Sequence, residues 1–308
     1  MKVAHLNKLS LSLIIWTAIA TASAHEKGPE KYLMAAMGDS ITAGFFADTH
    51  IKTIAVPDLS ILPPFTNKKS DSWASGRSIY SHYLLLETSL HQAGDLTPID
   101  VDNEAVPGNQ AADMVAQAKK IRKKMKKGHY QALKYVVLFI GANDACSDDT
   151  PLGTPEGTIR KGLEETFDVL SQIPQAEPIR VLMAGIPKIP DLARPEVTQS
   201  KTIFGLSCSF FRNDFLQSCT PLLDWKSNEE YEKRVAVVEH VNQVLEDAAH
   251  EANARHPNLQ VVFTNQLFHT AIGPELLAFD CFHPSREGQQ TISSTLWAQQ
   301  PWFQVSTQ

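Results

Sequence analysis

Tyr32-Leu33-Met34-Ala35-Ala36-Met37 runs directly into Gly38-Asp39-Ser40-Ile41-Thr42-Ala43-Gly44. Six apolar residues ending in a glycine-bounded polar turn read as a parallel strand covered on both faces, because such strands are continuously apolar rather than alternating. Four further segments share this character, at residues 99–103, 135–140, 179–184 and 259–264. Between or after them lie amphipathic stretches at 78–92, 110–127, 158–172, 228–254 and 285–298. Alternating strands and helices predict an α/β fold, a doubly wound three-layer α/β/α sandwich around a five-stranded parallel sheet. In that architecture functional groups collect beyond the carboxyl ends of the strands.

The composition agrees with this. The chain has 308 residues, 43% of them hydrophobic and 20% charged, so it can bury a large core and is neither disordered nor repetitive. Residues 1–24 differ: Lys2 and Lys8 precede an apolar run, and Ala22-Ser23-Ala24 has the small-x-small form that signal peptidase accepts. This reads as a cleaved export signal, leaving a single domain over 25–308 that is periplasmic or secreted. The formal net charge of −6 argues against nucleic acid as a partner. Residues 119–127 carry seven basic side chains, which fit either contact with an anionic lipid surface or a solvated helix face.

Two connections exceed the usual two to six residues and read as insertions, near 45–77 and near 185–227. They either wall a substrate site or cover a sheet edge. Four cysteines in an exported chain suggest two disulfides. Cys208 and Cys219 are neighbours in sequence, while Cys146 and Cys281 each sit in a block expected at the site. The expected pairs are therefore Cys208–Cys219 and Cys146–Cys281, with buried free thiols as the alternative.

Ser40 lies just past the first strand, where Gly38 and Gly44 let the backbone turn sharply. The Gly-x-Ser-x-Gly elbow of α/β-hydrolases is absent. A serine nucleophile needs a base, and the base needs an orienting carboxylate. Asp280-Cys281-Phe282-His283 supplies both in one loop. Acyl transfer also needs donors for the oxyanion. Gly108, after the second strand, would expose a bare backbone N–H, and Asn143, after the third, would offer a side-chain N–H. Each block alone is an ordinary turn or helix start. Together, in order and at strand ends, they specify one chemistry. His50, His82, His91 and His269 read as surface or core residues rather than ligands.

These four blocks resemble the GDSL, or SGNH, hydrolases: Gly38-Asp39-Ser40, Gly108, Gly141-Ala142-Asn143-Asp144, and Asp280 with His283. The resemblance spans residues 34 to 290, with Ile41 where the family name has leucine. It implies a flavodoxin-like fold and carboxylic ester hydrolysis with Ser40, His283 and Asp280 as catalytic residues. It further implies an oxyanion hole from the Ser40 N–H, Gly108 and Asn143, and neither cofactor nor metal. Cys146, the Asp-Cys-Phe-His block and Ser72-Trp73-Ala74-Ser75-Gly76 look like the phospholipase B-type branch. Three readings of the substrate stay open. A lipid acylhydrolase would use Phe204, Phe210, Phe211 and Phe215 as an acyl-chain wall, a carbohydrate O-acetyl esterase would have a shallow polar cleft, and a binding or adhesion module would keep the scaffold without turnover.

Overall fold

A computed structural model of the chain describes residues 31–50, 67–128, 130–147, 153–202, 205–210, 212 and 219–304. The expected export signal and residues 51–66 of the first insertion lie outside these. Five strands are present, β1 (Lys31–Gly38), β2 (Ile99–Asn103), β3 (Tyr130–Phe139), β4 (Ile179–Ala184) and β5 (Leu259–Thr264). They form one sheet in the order β2-β1-β3-β4-β5, and every pair is parallel. The long helices are α1 (His82–Gln92), α2 (Met114–Lys127), α3 (Glu156–Ser171), α4 (Asn228–Arg255) and α5 (Arg286–Trp297).

The strand order fixes where the helices go. The chain steps from β1 to β2 in one direction, then jumps back past β1 to β3 and continues through β4 to β5. Right-handed crossovers put α1 on one face of the sheet and α2, α3 and α4 on the other. Accordingly α2 packs on α3 and α3 on α4, while α1 packs with α5. Because the direction reverses at β1 and β3, a crevice opens beyond their carboxyl ends.

β1 is buried from Tyr32 to Gly38, as expected for a strand covered on both faces. β3 starts five residues earlier than its apolar run, since its polar first half, with Gln131 and Lys134, still pairs with β1 through two register irregularities. α1 starts four residues later than its amphipathic stretch. The N–H of Ser78 is held by the Ser70 carbonyl, and the Ser81 hydroxyl caps the helix by accepting from the Leu84 N–H. Within the basic run, Lys124 pairs with Asp102 at 2.8 Å and Lys120 with Glu104 at 3.1 Å, whereas Lys119, Lys123, Lys126 and Lys127 are exposed.

The α1/α5 face of the sheet is built around an aromatic cluster. The fully buried His82 ring stacks on Tyr135 and meets Trp73 and Trp297 edge-on. His82 Nε2 donates to the Ser293 carbonyl at 3.1 Å, so Nδ1 accepts from the Tyr135 hydroxyl at 3.0 Å. Burial lowers the pKa of this imidazole to about 3, which keeps it neutral and fixes that pattern. Tyr135→Phe removes the hydroxyl donor to Nδ1 without changing the packing. It is expected to cost about 1–3 kcal/mol in urea unfolding, the usual penalty for an unsatisfied buried acceptor. An unchanged midpoint would show that the bond contributes nothing.

Candidate active site

The site begins where β1 ends. Gly38 has φ +149°, and a Cβ there would lie 2.2 Å from the Phe139 carbonyl oxygen, so only glycine lets β1 finish against β3. A tight turn follows. The Asp39 carboxylate accepts the Ile41 N–H at 2.9 Å, and the carbonyls of Asp39 and Ser40 accept the N–H groups of Ala43 and Phe45. Ser40 is thereby held just beyond the sheet.

The C-terminal block meets it from the opposite side. Asp280 Oδ1 accepts the backbone N–H groups of Phe282 and His283 at 3.2 and 3.0 Å, which leaves Oδ2 pointing at His283 Nδ1, 2.5 Å away. His283 Nε2 lies 2.9 Å from Ser40 Oγ. Asp280 is only 1% exposed, so its charge acts in a medium that screens weakly. Phe45 and Phe282 close on the imidazole edge-on, with centroids 5.1 and 5.2 Å away. The structure thus brings together Ser40, His283 and Asp280 across 243 residues of sequence.

The two candidate oxyanion loops also touch. Gly108 adopts φ +81° in the loop after β2. The next residue, Asn109, accepts the Asn143 Nδ2–H on its backbone carbonyl at 2.8 Å. Asn143 sits in the short helical turn Ala142–Ala145, which opens with Gly141 at φ +113°. Three buried amides not singled out from sequence brace these loops. Asn103 donates to the Thr42 carbonyl, Gln289 donates to the Ile41 carbonyl, and Gln117 bonds Gly38 on both its N–H and its carbonyl. For Gln117 a signal was present: it falls in the stripe with Met114, Ala118 and Ile121, where a polar residue is out of place.

Two further buried carboxyls lie close to these residues. Desolvation raises the pKa of Asp39 to about 7, against the Ile41 N–H and the charge of His283, which lower it; Asp144 adds a small increase. Desolvation also raises Asp144 to about 6, although its Oδ2 accepts the Ala111 N–H at 3.0 Å.

The disulfides differ from expectation. Cys146 pairs with Cys219 and Cys208 with Cys281, instead of Cys208–Cys219 and Cys146–Cys281. Sequence proximity suggested a short loop closed on itself, but the second insertion lies across the site. One of its cysteines reaches the block after Asn143, and the other reaches the loop between Asp280 and His283. The Cα separations of 4.8 and 5.5 Å suit these pairs.

A pocket enclosing about 830 Å³ of empty space, some of it open to solvent, starts at Ser40 and His283. Its lining is almost wholly apolar and comes from Pro187, Ile189 and Leu192 after β4, from Leu267, Ile272 and Leu276 after β5, and from Ile292 of α5. Of the expected aromatic wall, Phe210 is exposed and is not part of this lining, and Phe204, Phe211 and Phe215 lie outside the described residues. Among the described residues no group of three or more His, Cys, Asp or Glu could hold a metal ion, and no helix is long and apolar enough to cross a membrane.

A family model, GDSL-like Lipase/Acylhydrolase, matches residues 34–296. No curated protein sequence matches the chain. Among solved structures, TesA is 14% identical, with a TM-score of 0.47, over 87% of this chain and 97% of its own. Axe2, an acetyl xylan esterase from Geobacillus stearothermophilus studied as a variant, is 16% identical over 92% of this chain and 100% of its own, with a TM-score of 0.46. LAE5, described as an alpha/beta hydrolase enzyme from the metagenome of Lake Arreo, Spain, is 16% identical over 91% and 99%, with a TM-score of 0.47.

Two outcomes are expected from this geometry. Between about pH 4, where an exposed aspartate ionises, and about 7, the folded protein keeps a proton on Asp39 that the unfolded chain has lost. Stability contributed by this residue therefore falls as pH rises through that window. Asp39→Asn preserves the acceptor for Ile41 and cannot ionise. Its stability relative to wild type should climb with pH by on the order of 1 kcal/mol per unit, and parallel urea-stability curves would refute the assignment. Separately, opening both disulfides with a dithiol under native conditions frees the insertion from both blocks. Turnover is expected to drop and to return on reoxidation; full turnover with both links open would mean that the tether does not position the site.

Proposed function

Since this chain belongs to the GDSL-like lipase/acylhydrolase family and is a carboxylic ester hydrolase, we propose that Ser40, His283 and Asp280 form its catalytic triad, acting on esters with an extended apolar acyl chain. The observation that carries this reading is the continuous Asp280–His283–Ser40 hydrogen-bond relay opening onto an apolar pocket.

His283 Nε2 takes the Ser40 proton as Oγ attacks the ester carbonyl. Asp280 holds the imidazole in the required tautomer and stabilises the imidazolium that forms. The tetrahedral oxyanion is met by the Ser40 N–H, the Gly108 N–H and the free N–H of the Asn143 amide. Collapse expels the alcohol with the proton from His283 and leaves an acyl-Ser40 ester. Water then repeats the sequence, its proton passing to His283, and releases the carboxylic acid. Every step uses side chains and backbone groups of this chain.

The apolar lining supports lipid-type acyl esters, phospholipid or lysophospholipid among them, over acetyl groups on carbohydrate, because it offers a hydrocarbon chain contact and a sugar few polar partners. Export to a periplasm or the exterior fits the two disulfides, which persist in an oxidising compartment.

A p-nitrophenyl ester series from acetate to palmitate tests the reading. Burying one methylene contributes about 0.8 kcal/mol, so kcat/KM should rise up to about fourfold per added carbon until the pocket is filled. Asn143→Ala should lose about 100- to 1,000-fold in kcat, and Ser40→Ala more. Activity retained in Ser40→Ala would overturn the triad; a maximum at acetate would overturn the acyl-chain assignment in favour of O-acetyl esterase activity.

A further inference from the structure

We infer that Gln117 is a positioning residue that sets the oxyanion donors in register through a single buried carboxamide. The inference rests on the proposed roles of Ser40, Gly108 and Asn143. Gln117 Oε1 accepts the Gly38 N–H at 2.9 Å, and Nε2 donates to the Gly38 carbonyl at 2.8 Å and to Asn109 Oδ1 at 3.1 Å. One acceptor and both donor hydrogens of the amide are thereby engaged.

The three bonds reach two segments of the hole, two of them at Gly38 and one at Asn109. Gly38 lies two residues before Ser40 and beyond the last β1–β2 pair, Ala36 with Asn103, so on that side no strand residue faces it. Gln117 takes the place of the missing strand and, with the Val106 N–H on the same carbonyl, fixes the end of β1. Asn109 adjoins Gly108, so its side-chain bond to Gln117 holds the Gly108 loop against that strand end. The Asn109 backbone carbonyl in turn occupies one N–H of the Asn143 amide, which leaves the other to face the substrate oxygen. The segments carrying Ser40 and Gly108 therefore meet at one side chain from α2, and Asn143 is linked to it through Asn109.

Packing alone does not call for an amide here. Gln117 is 2% exposed, in the stripe with Met114, Ala118 and Ile121, where an apolar side chain of similar volume would serve. Preorganised donors contribute to catalysis only while they are held at the position of the developing oxyanion. Loss of the amide should therefore reduce kcat and spare substrate binding.

The experiment compares Gln117→Met, Asn109→Ala, Asn143→Ala and the Gln117→Met/Asn143→Ala double variant, each normalised by active-site titration with a fluorophosphonate. Gln117→Met is expected to lower kcat about tenfold or more, with KM within about twofold. The fluorophosphonate labelling rate should fall in parallel, because phosphonylation develops charge in the same hole. In the double variant the losses should fall short of multiplying, since Gln117 acts partly through Asn143. Asn109→Ala removes only the Nε2 link, leaves the Gly38 clamp and the core intact, and should lower kcat in the same sense, so it decides the matter even if Gln117→Met folds poorly. Wild-type kcat per titrated site in Asn109→Ala, a change confined to KM, or fully multiplicative losses would overturn the inference. Ser40→Ala separates this from failure of the triad itself: if that variant is active, the functional reading has failed rather than the role of Gln117.

Discussion

At the point where β1 runs out beside β3, the Phe139 carbonyl leaves no space for a side chain at residue 38. That contact sets the geometry of much that follows. It brings the carboxyl ends of the two central strands level with each other, so that the turn carrying Ser40 and the turn carrying Asn143 start from the same edge. A β-carbon at residue 38 would push the strands apart where the topology reverses. Ser40 would then leave the 2.9 Å reach of His283, which arrives on a separate loop and cannot follow. The crevice of a doubly wound sheet is generic; the glycine narrows it to bonding distance.

Around this edge the protein concentrates carboxyl groups in unlike environments. Asp280 is nearly inaccessible, yet two backbone N–H groups and an imidazole meet it. Asp39 is as deeply buried but accepts a single N–H, and its pKa rises to about 7. The two carboxyls thus differ in the number of donors each meets.

The five strands and five long helices were legible because their signals are local: apolar runs and amphipathic periods. Boundaries slipped where tertiary context prevailed, as at the polar first half of β3 and the pre-helical turn before His82. Ser40, Gly108, Asn143, Asp280 and His283 stood out because each sits in a short polar block next to a strand or helix. Asn103 and Gln289 did not, since an amide at a strand end or in a helix looks ordinary until its partners are known, and Gln117 showed only as a polar residue in an apolar stripe, which does not say what it bonds. The cysteine pairing failed for a related reason. Proximity in sequence says which loop closes most easily, whereas the observed links depend on where the insertion lies, and nothing local encodes that.

The interleaved links have a consequence for how the chain matures. In order of synthesis the thiols emerge as Cys146, Cys208, Cys219 and Cys281, and oxidation in that order would join the first two and then the last two. The native pairs alternate instead, first with third and second with fourth. Cys146 must therefore either stay reduced until the insertion has passed Cys208 or exchange out of a wrong partner by thiolate attack on the mixed link. Since Cys281 belongs to the same loop as Asp280 and His283, the second native link cannot close until the final block of the site has been made.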